Sequence, residues 1–180
     1  MLVQMKSFVD VGARARELGC RVPVVIALLP GNFSTAANAG EFRYHPATPY
    51  IRSAWQRVNM RDEGPSGAGF GDQGSGVSSG IRTPAPNPQP LAPSVSTNVP
   101  LAVFFGPGLL LDAPDRLTVA LAMVLRVFAN DPHCASPRDV PLDVVVERPG
   151  GNGCACVEYR GDACELSELA RAVREVWAGE

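Results

Sequence analysis

The residues best suited to chemistry lie in one stretch, RPGGNGCACVEYRGDAC, from Arg148 to Cys164, which holds three of the chain's five cysteines. The thiolates of Cys154, Cys156 and Cys164, joined by His133, are a donor set that suits tetrahedral zinc. The spacing argues against it, because zinc knuckles present C-x₂₋₄-C whereas Cys154 and Cys156 form C-x-C. In a strand that spacing places Cys154, Cys156 and Glu158 on one face and Ala155, Val157 and Tyr159 on the other. Free cysteine packs as a small apolar residue. Buried thiols are therefore expected, zinc is the alternative, and no other cofactor is indicated. No C-x-x-C precedes a helix, so dithiol redox chemistry has no motif to work from.

Other chemistries fare worse. Arg160-Gly161-Asp162 spells an adhesion tripeptide, yet Asp162-Ala163-Cys164-Glu165 also reads as a capping box opening a helix. The glycines of FFGPGLLLDAPD sit between a strand and a helix, where a dinucleotide loop would lie. Pro107 removes an amide there, and Leu109 to Leu111 bring bulk where phosphates need open backbone. The two histidines, His45 and His133, meet no G-x-S-x-G elbow. No close pair of acidic residues stands out for acid–base work. No catalytic residues are assigned, and the expectation leans away from an enzyme.

The elements that would position these residues fall into three segments of a single domain. Residues 1–60 read as a helix-strand segment contributing to the core. Leu2, Met5, Val9 and Leu18 form a helical stripe with Phe8 beside it, and Gly19 follows as its C-terminal cap. Val22 to Leu29 is a buried strand closed by Pro30-Gly31. Phe42 to Tyr44 is a candidate short strand. A helix starting at Pro49 carries Tyr50, Ile51, Ala54, Trp55 and Val58. Residues 61–98, rich in Gly, Ser and Pro, read as a flexible, disordered loop. Residues 99–180 read β-α-β-β-α. A strand over PLAVFFG leads to a helix capped by Asp112 that runs to Ala129. PLDVVVER and CACVEY then pair across PGGNG. A final helix sets Leu166, Leu169, Ala170, Val173, Val176 and Trp177 against Glu168, Arg171, Arg174 and Glu175.

The fold class expected from this order is α/β, or α+β, as a two-layer sandwich. The β-α-β-β-α unit lacks one closing strand of a split βαβ motif. Val22 to Leu29 would supply it in a permuted ferredoxin-like arrangement, or a partner chain would.

The net charge of −2 disfavours non-specific nucleic-acid binding. Fifteen arginines against the single Lys6 suggest a GC-rich genome, bacterial or viral. No targeting segment is visible. The apolar run Leu117 to Leu125 falls far short of the ~20 residues a membrane span needs. A soluble, intracellular protein with reduced thiols is expected.

The helix from Leu117 to Phe128 is apolar nearly all round, and such a helix must be covered on all sides. Leu121, Val124, Leu125 and Phe128 are accordingly the candidate contacts to another protein chain, self or different. The leading functional expectation is a protein-interaction or assembly module working in a homo- or hetero-oligomer. A nucleotide- or metal-dependent enzyme remains a further alternative.

The order helix, strand, proline-rich loop (PNPQPLAPS), strand, helix, strand is similar to that of the DNA-binding domains of gammaherpesvirus episome-maintenance proteins. The likeness is of order and spans Ser7 to Arg148. It implies a dimeric β-barrel that binds nucleic acid, with Arg43, Arg52 and Arg57 on phosphate.

Overall fold

The computed structural model describes residues 2–65, 100–129, 140–148, 153–162 and 165–178. Its elements run β1 (Leu2–Phe8), α1 (Val11–Glu17), β2 (Ile26–Leu29), a 3-10 turn at Ala39–Glu41, α2 (Thr48–Arg57), β3 (Leu101–Phe105), α3 (Pro107–Asp112), α4 (Pro114–Ala129), β4 (Val140–Glu147), β5 (Cys154–Gly161) and α5 (Leu166–Ala178). They build a mixed α/β protein around one five-stranded sheet of order β1-β5-β4-β3-β2. Only β3 and β4 are parallel; every other neighbouring pair is antiparallel.

The crossover from β3 to β4 runs through α4, as a parallel pair requires. β4 and β5 form a hairpin, with the Arg148 amide donating to the Gly153 carbonyl at 3.0 Å and Gly153 at φ +81°. The loop PGGNG falls largely outside the described residues. The parallel strands β3 and β4 are direct neighbours, so the βαβ unit is not split, and the expected ferredoxin-like arrangement is not the one adopted. The flanking strands both come from the amino-terminal segment of the same chain, β2 beside β3 and β1 beside β5. Among the described residues the sheet stays open and closes into no barrel.

One face of the sheet carries α2, α3, α4 and α5 over Ile26, Leu28, Val103, Phe105, Leu142, Val144, Val157 and Tyr159. Trp55 on α2 is fully buried and donates its indole N–H to the Ala120 carbonyl of α4 at 3.2 Å. The α5 stripe is as expected: Leu169, Ala170, Val173 and Val176 are buried, while Glu168, Arg171, Arg174 and Glu175 face solvent. The opposite face is covered by α1 and by the chain around Phe33, over Ala27, Leu29, Phe104 and Val145.

Several local expectations are corrected. The stretch through Leu2, Met5 and Phe8 is a strand, because seven of its residues pair with β5. The helix is confined to α1, with the Asp10 carboxylate accepting from the Ala13 amide and Gly19 at φ +64° beyond its end. Phe42 to Tyr44 is not a strand; Phe42 follows the 3-10 turn. Asp112 is not a helix N-cap, since it is the last residue of α3 and α4 begins at Pro114. The loop assigned to 61–98 begins too early, because Asp62 and Glu63 bind β2 (Leu28 amide to Asp62 Oδ1, 2.8 Å; Glu63 amide to Ile26 carbonyl, 2.9 Å). Residues 66–98 of that loop lie outside the described residues.

The apolar α4 is explained within the chain. Leu121, Val124, Leu125 and Phe128 are 0–4% exposed and belong to the main core. They therefore offer no surface to a partner. The sheet, α2, α3 and α5 together supply its covering.

Candidate functional site

A shallow groove of about 430 Å³ runs between α2 and α4. Its α2 wall is Tyr50, Ser53, Ala54, Arg57 and Val58; its α4 wall is Met123, Arg126 and Val127. The spacing on each helix is three to four residues, so these side chains share one face. Ala54, Val58, Met123 and Val127 are half-buried and make an apolar floor. Tyr50 stands 70% exposed at its margin, and Arg57 and Arg126 are exposed on its two walls. Val119, one turn before Met123 on α4, is also exposed.

A second cavity, of about 290 Å³, is bounded by Arg52, Gln56, Arg61, Asp62 and Gly64. Its two strongest groups neutralise each other, because Arg52 Nε pairs with Asp62 Oδ2. Arg52 also stacks on the Tyr44 ring, 5.2 Å from its centroid. Burial pushes the Tyr44 phenol up to about 12. Arg52 thus fastens the 61–65 segment to α2, a structural task that conflicts with phosphate binding. Arg43 and Arg57, its two companions from the sequence, are exposed.

The third constellation lies on the sheet face opposite the helices, across β4, β5 and β1. Asp143 is directly opposite Glu158, and Glu158 is opposite Gln4. Lys6 lies opposite Cys156 and reaches diagonally to the Glu158 carboxylate. Burial, outweighing the attraction of Lys6, raises the Asp143 carboxyl above its ordinary range, and Glu158 adds to the rise. The hydrogen bond to Glu158 raises Lys6 in turn. This carboxylate pair was missed in the sequence. The signal was there, since counting outward from the 149–152 turn places 143 opposite 158.

Of the cysteine stretch, Cys154 and Cys156 are described, and both pack in the sheet. Cys154 and Cys156 share a face, as alternation requires, and both are buried. Desolvation pushes the Cys154 thiol up to about 11 and the Cys156 thiol up to about 12. Such thiols are protonated near neutrality. Cys164 and His133, the other members of the proposed zinc set, lie outside the described residues. Among the described residues no group of three His, Cys, Asp or Glu side chains is placed to hold a metal ion.

The glycine and adhesion motifs also find structural explanations. A Cβ on Gly106 would lie 1.9 Å from the Val24 carbonyl oxygen, and its amide already donates to the Val25 carbonyl at 2.9 Å. Gly106 serves strand packing, and Pro107 opens a helix of only six residues. Arg160 and Gly161 end β5, where the Tyr159 hydroxyl donates to the Asp162 carbonyl at 2.6 Å. The tripeptide is part of a strand end held by that hydrogen bond. Among the described residues no helix is long and apolar enough to cross a membrane.

No family model, curated protein or solved structure matches the chain. Its function must therefore be argued from these three constellations.

Proposed function

We propose that the chain is a protein-interaction module, and that the α2–α4 groove is its docking site for a short amphipathic segment carrying apolar and acidic side chains. The observation that supports this reading is an apolar floor open to solvent between two arginine-bearing walls. Helical ligands dock in such grooves through anchors spaced three and four residues apart. An exposed tyrosine is well suited to anchor them, since its ring adds contact area with few torsions to fix. Arg57 and Arg126 favour a partner with carboxylates flanking its apolar stripe.

The test is selection from a displayed library of helix-forming peptides on the purified chain. Enrichment of sequences with apolar residues at i, i+3 or i+4 and acidic flanks is expected. Tyr50→Ala and Arg57→Glu should each weaken the selected peptide about tenfold or more while leaving the melting temperature unchanged, because both residues are exposed. Failure to enrich, or binding indifferent to both variants, overturns the proposal. Salt-sensitive binding of duplex DNA that is lost in Arg57→Glu would replace it with the nucleic-acid reading.

A further inference from the structure

We propose that the outer edge of β1 is a homodimer interface, where β1 pairs antiparallel with β1 of a second copy about a two-fold axis at Met5.

The two edges of the sheet are treated differently. Beyond β2, the Val24 and Val25 amides donate to Glu63 Oε2 at 2.7 and 2.9 Å, and the Leu28 amide donates to Asp62. The Glu63 amide answers the Ile26 carbonyl. Three amides and one carbonyl along that edge are thus occupied. Beyond β1, among the described residues, no strand pairs and no segment caps; β1 is bonded to β5 alone. An edge of seven residues, whose alternate backbone groups point away from β5 with no partner among the described residues, is a template for another strand.

Lysine on an edge strand often blocks such pairing. Lys6 does not project beyond the edge in this way, because its ammonium is drawn inward to Glu158 on β5. Met5 does the opposite. It is 58% exposed at the edge, although its neighbour across β5, Val157, is fully buried. A half-covered apolar residue at the centre of an open edge needs a cover.

The sequence of β1 is complementary to itself in one register. A two-fold axis at Met5 sets Met5 against Met5, Val3 against Ser7, and Gln4 against Lys6. Residues directly opposite in antiparallel strands interact, and like charges there are unfavourable. This register opposes no like charges and covers Met5 with its own copy. The two sheets would become one of ten strands, with the isologous contact expected of a two-fold dimer. A strand pair of this length buries less than the ~800 Å² per partner of a standard interface, so the dimer is weak and depends on concentration. The inference is independent of the groove.

Charge reversal at the axis tests it. The wild-type chain should show a monomer–dimer equilibrium in sedimentation equilibrium. Met5→Glu and Met5→Lys should each weaken self-association about tenfold or more through like charges at the axis, with unchanged circular dichroism. An equimolar mixture of the two should associate at least as tightly as wild type. Met5→Cys should cross-link to itself under mild oxidation far faster than Ser7→Cys or the wild-type chain. A wild type that stays monomeric to about 1 mM, where binding would be no tighter than −4.1 kcal/mol, overturns the proposal. So does a dimer indifferent to both charges, or a mixture of the charged variants that does not associate. If Met5→Glu does not fold, the Met5→Cys and Ser7→Cys comparison decides, and equal cross-linking of the two overturns the proposal.

Discussion

The β2–β3 half of the sheet and the β5–β1 half are built on different terms. One row across the face opposite the helices runs Ala27, Phe104, Val145, Cys156, Lys6; the next runs Leu29, Ala102, Asp143, Glu158, Gln4. Each row passes from apolar to polar within five strands. The β2–β3 side lies under Phe33, whose carbonyl, with that of Ala36, accepts from the Arg14 guanidinium. Its edge is fastened by Asp62 and Glu63. The β5–β1 side instead carries side chains that pair among themselves. A sheet needs only one fully buried face to fold, so the second face can close where apolar residues continue it and stay polar where they do not.

That contrast can be broken at its strongest point. Phe104 is 1% exposed beneath the α1 side of the sheet. Phe104→Ala should cost ~3–5 kcal/mol in chemical unfolding, the usual loss for a buried aromatic. A loss below ~1 kcal/mol would mean that this half is as dispensable to the fold as the polar half.

A smaller effect is expected at the fastened edge. Asp62 accepts from the Leu28 and Gly64 amides and pairs with Arg52. Asp62→Ala should cost ~1–3 kcal/mol, since it leaves a part-buried amide and a guanidinium without their acceptor. Hydrogen exchange of the β2 amides should quicken before that of β4. Uniform quickening across the sheet would show that the edge carries no local stability of its own.

The smallest effect belongs to the polar half and has a sign that pH reveals. Burial raises the folded-state carboxyl of Asp143 above its ordinary value of 3.8. The folded state then holds this proton more tightly than the unfolded chain, so ionised Asp143 lowers stability. The penalty is present in full above the raised value. It fades as pH falls through that value and is gone below 3.8. Asp143→Asn should therefore stabilise the chain slightly near neutral pH, with the gain shrinking as the solution is acidified. A gain that is flat with pH, or a loss at neutrality, would mean that the attraction of Lys6 and not burial governs this carboxylate.

The carboxy-terminal half was the more legible in sequence. β3, α4, the β4–β5 hairpin and α5 were each marked by local periodicity and turn residues within reach of one another. The expected Asp112 cap was less secure, since a capping residue says nothing of the backbone that carries it. The groove could not be read at all, because Tyr50 and Met123 are brought together only when α2 packs on α4.

The sequence by itself determined the elements whose signals are short-range: the apolar period of α5, the alternation through Val140 to Glu147, and the requirement that α4 be covered. The tertiary structure alone decided what covers α4, and it did so with the chain's own sheet, α2, α3 and α5. It also decided that Leu2–Phe8 is a strand, because the hydrogen-bonding partner of that segment lies about 150 residues away, from Cys154 to Arg160. Side-chain period can propose a strand or a helix for seven residues. Only a neighbouring backbone, placed by the rest of the fold, supplies the hydrogen bonds that choose between them.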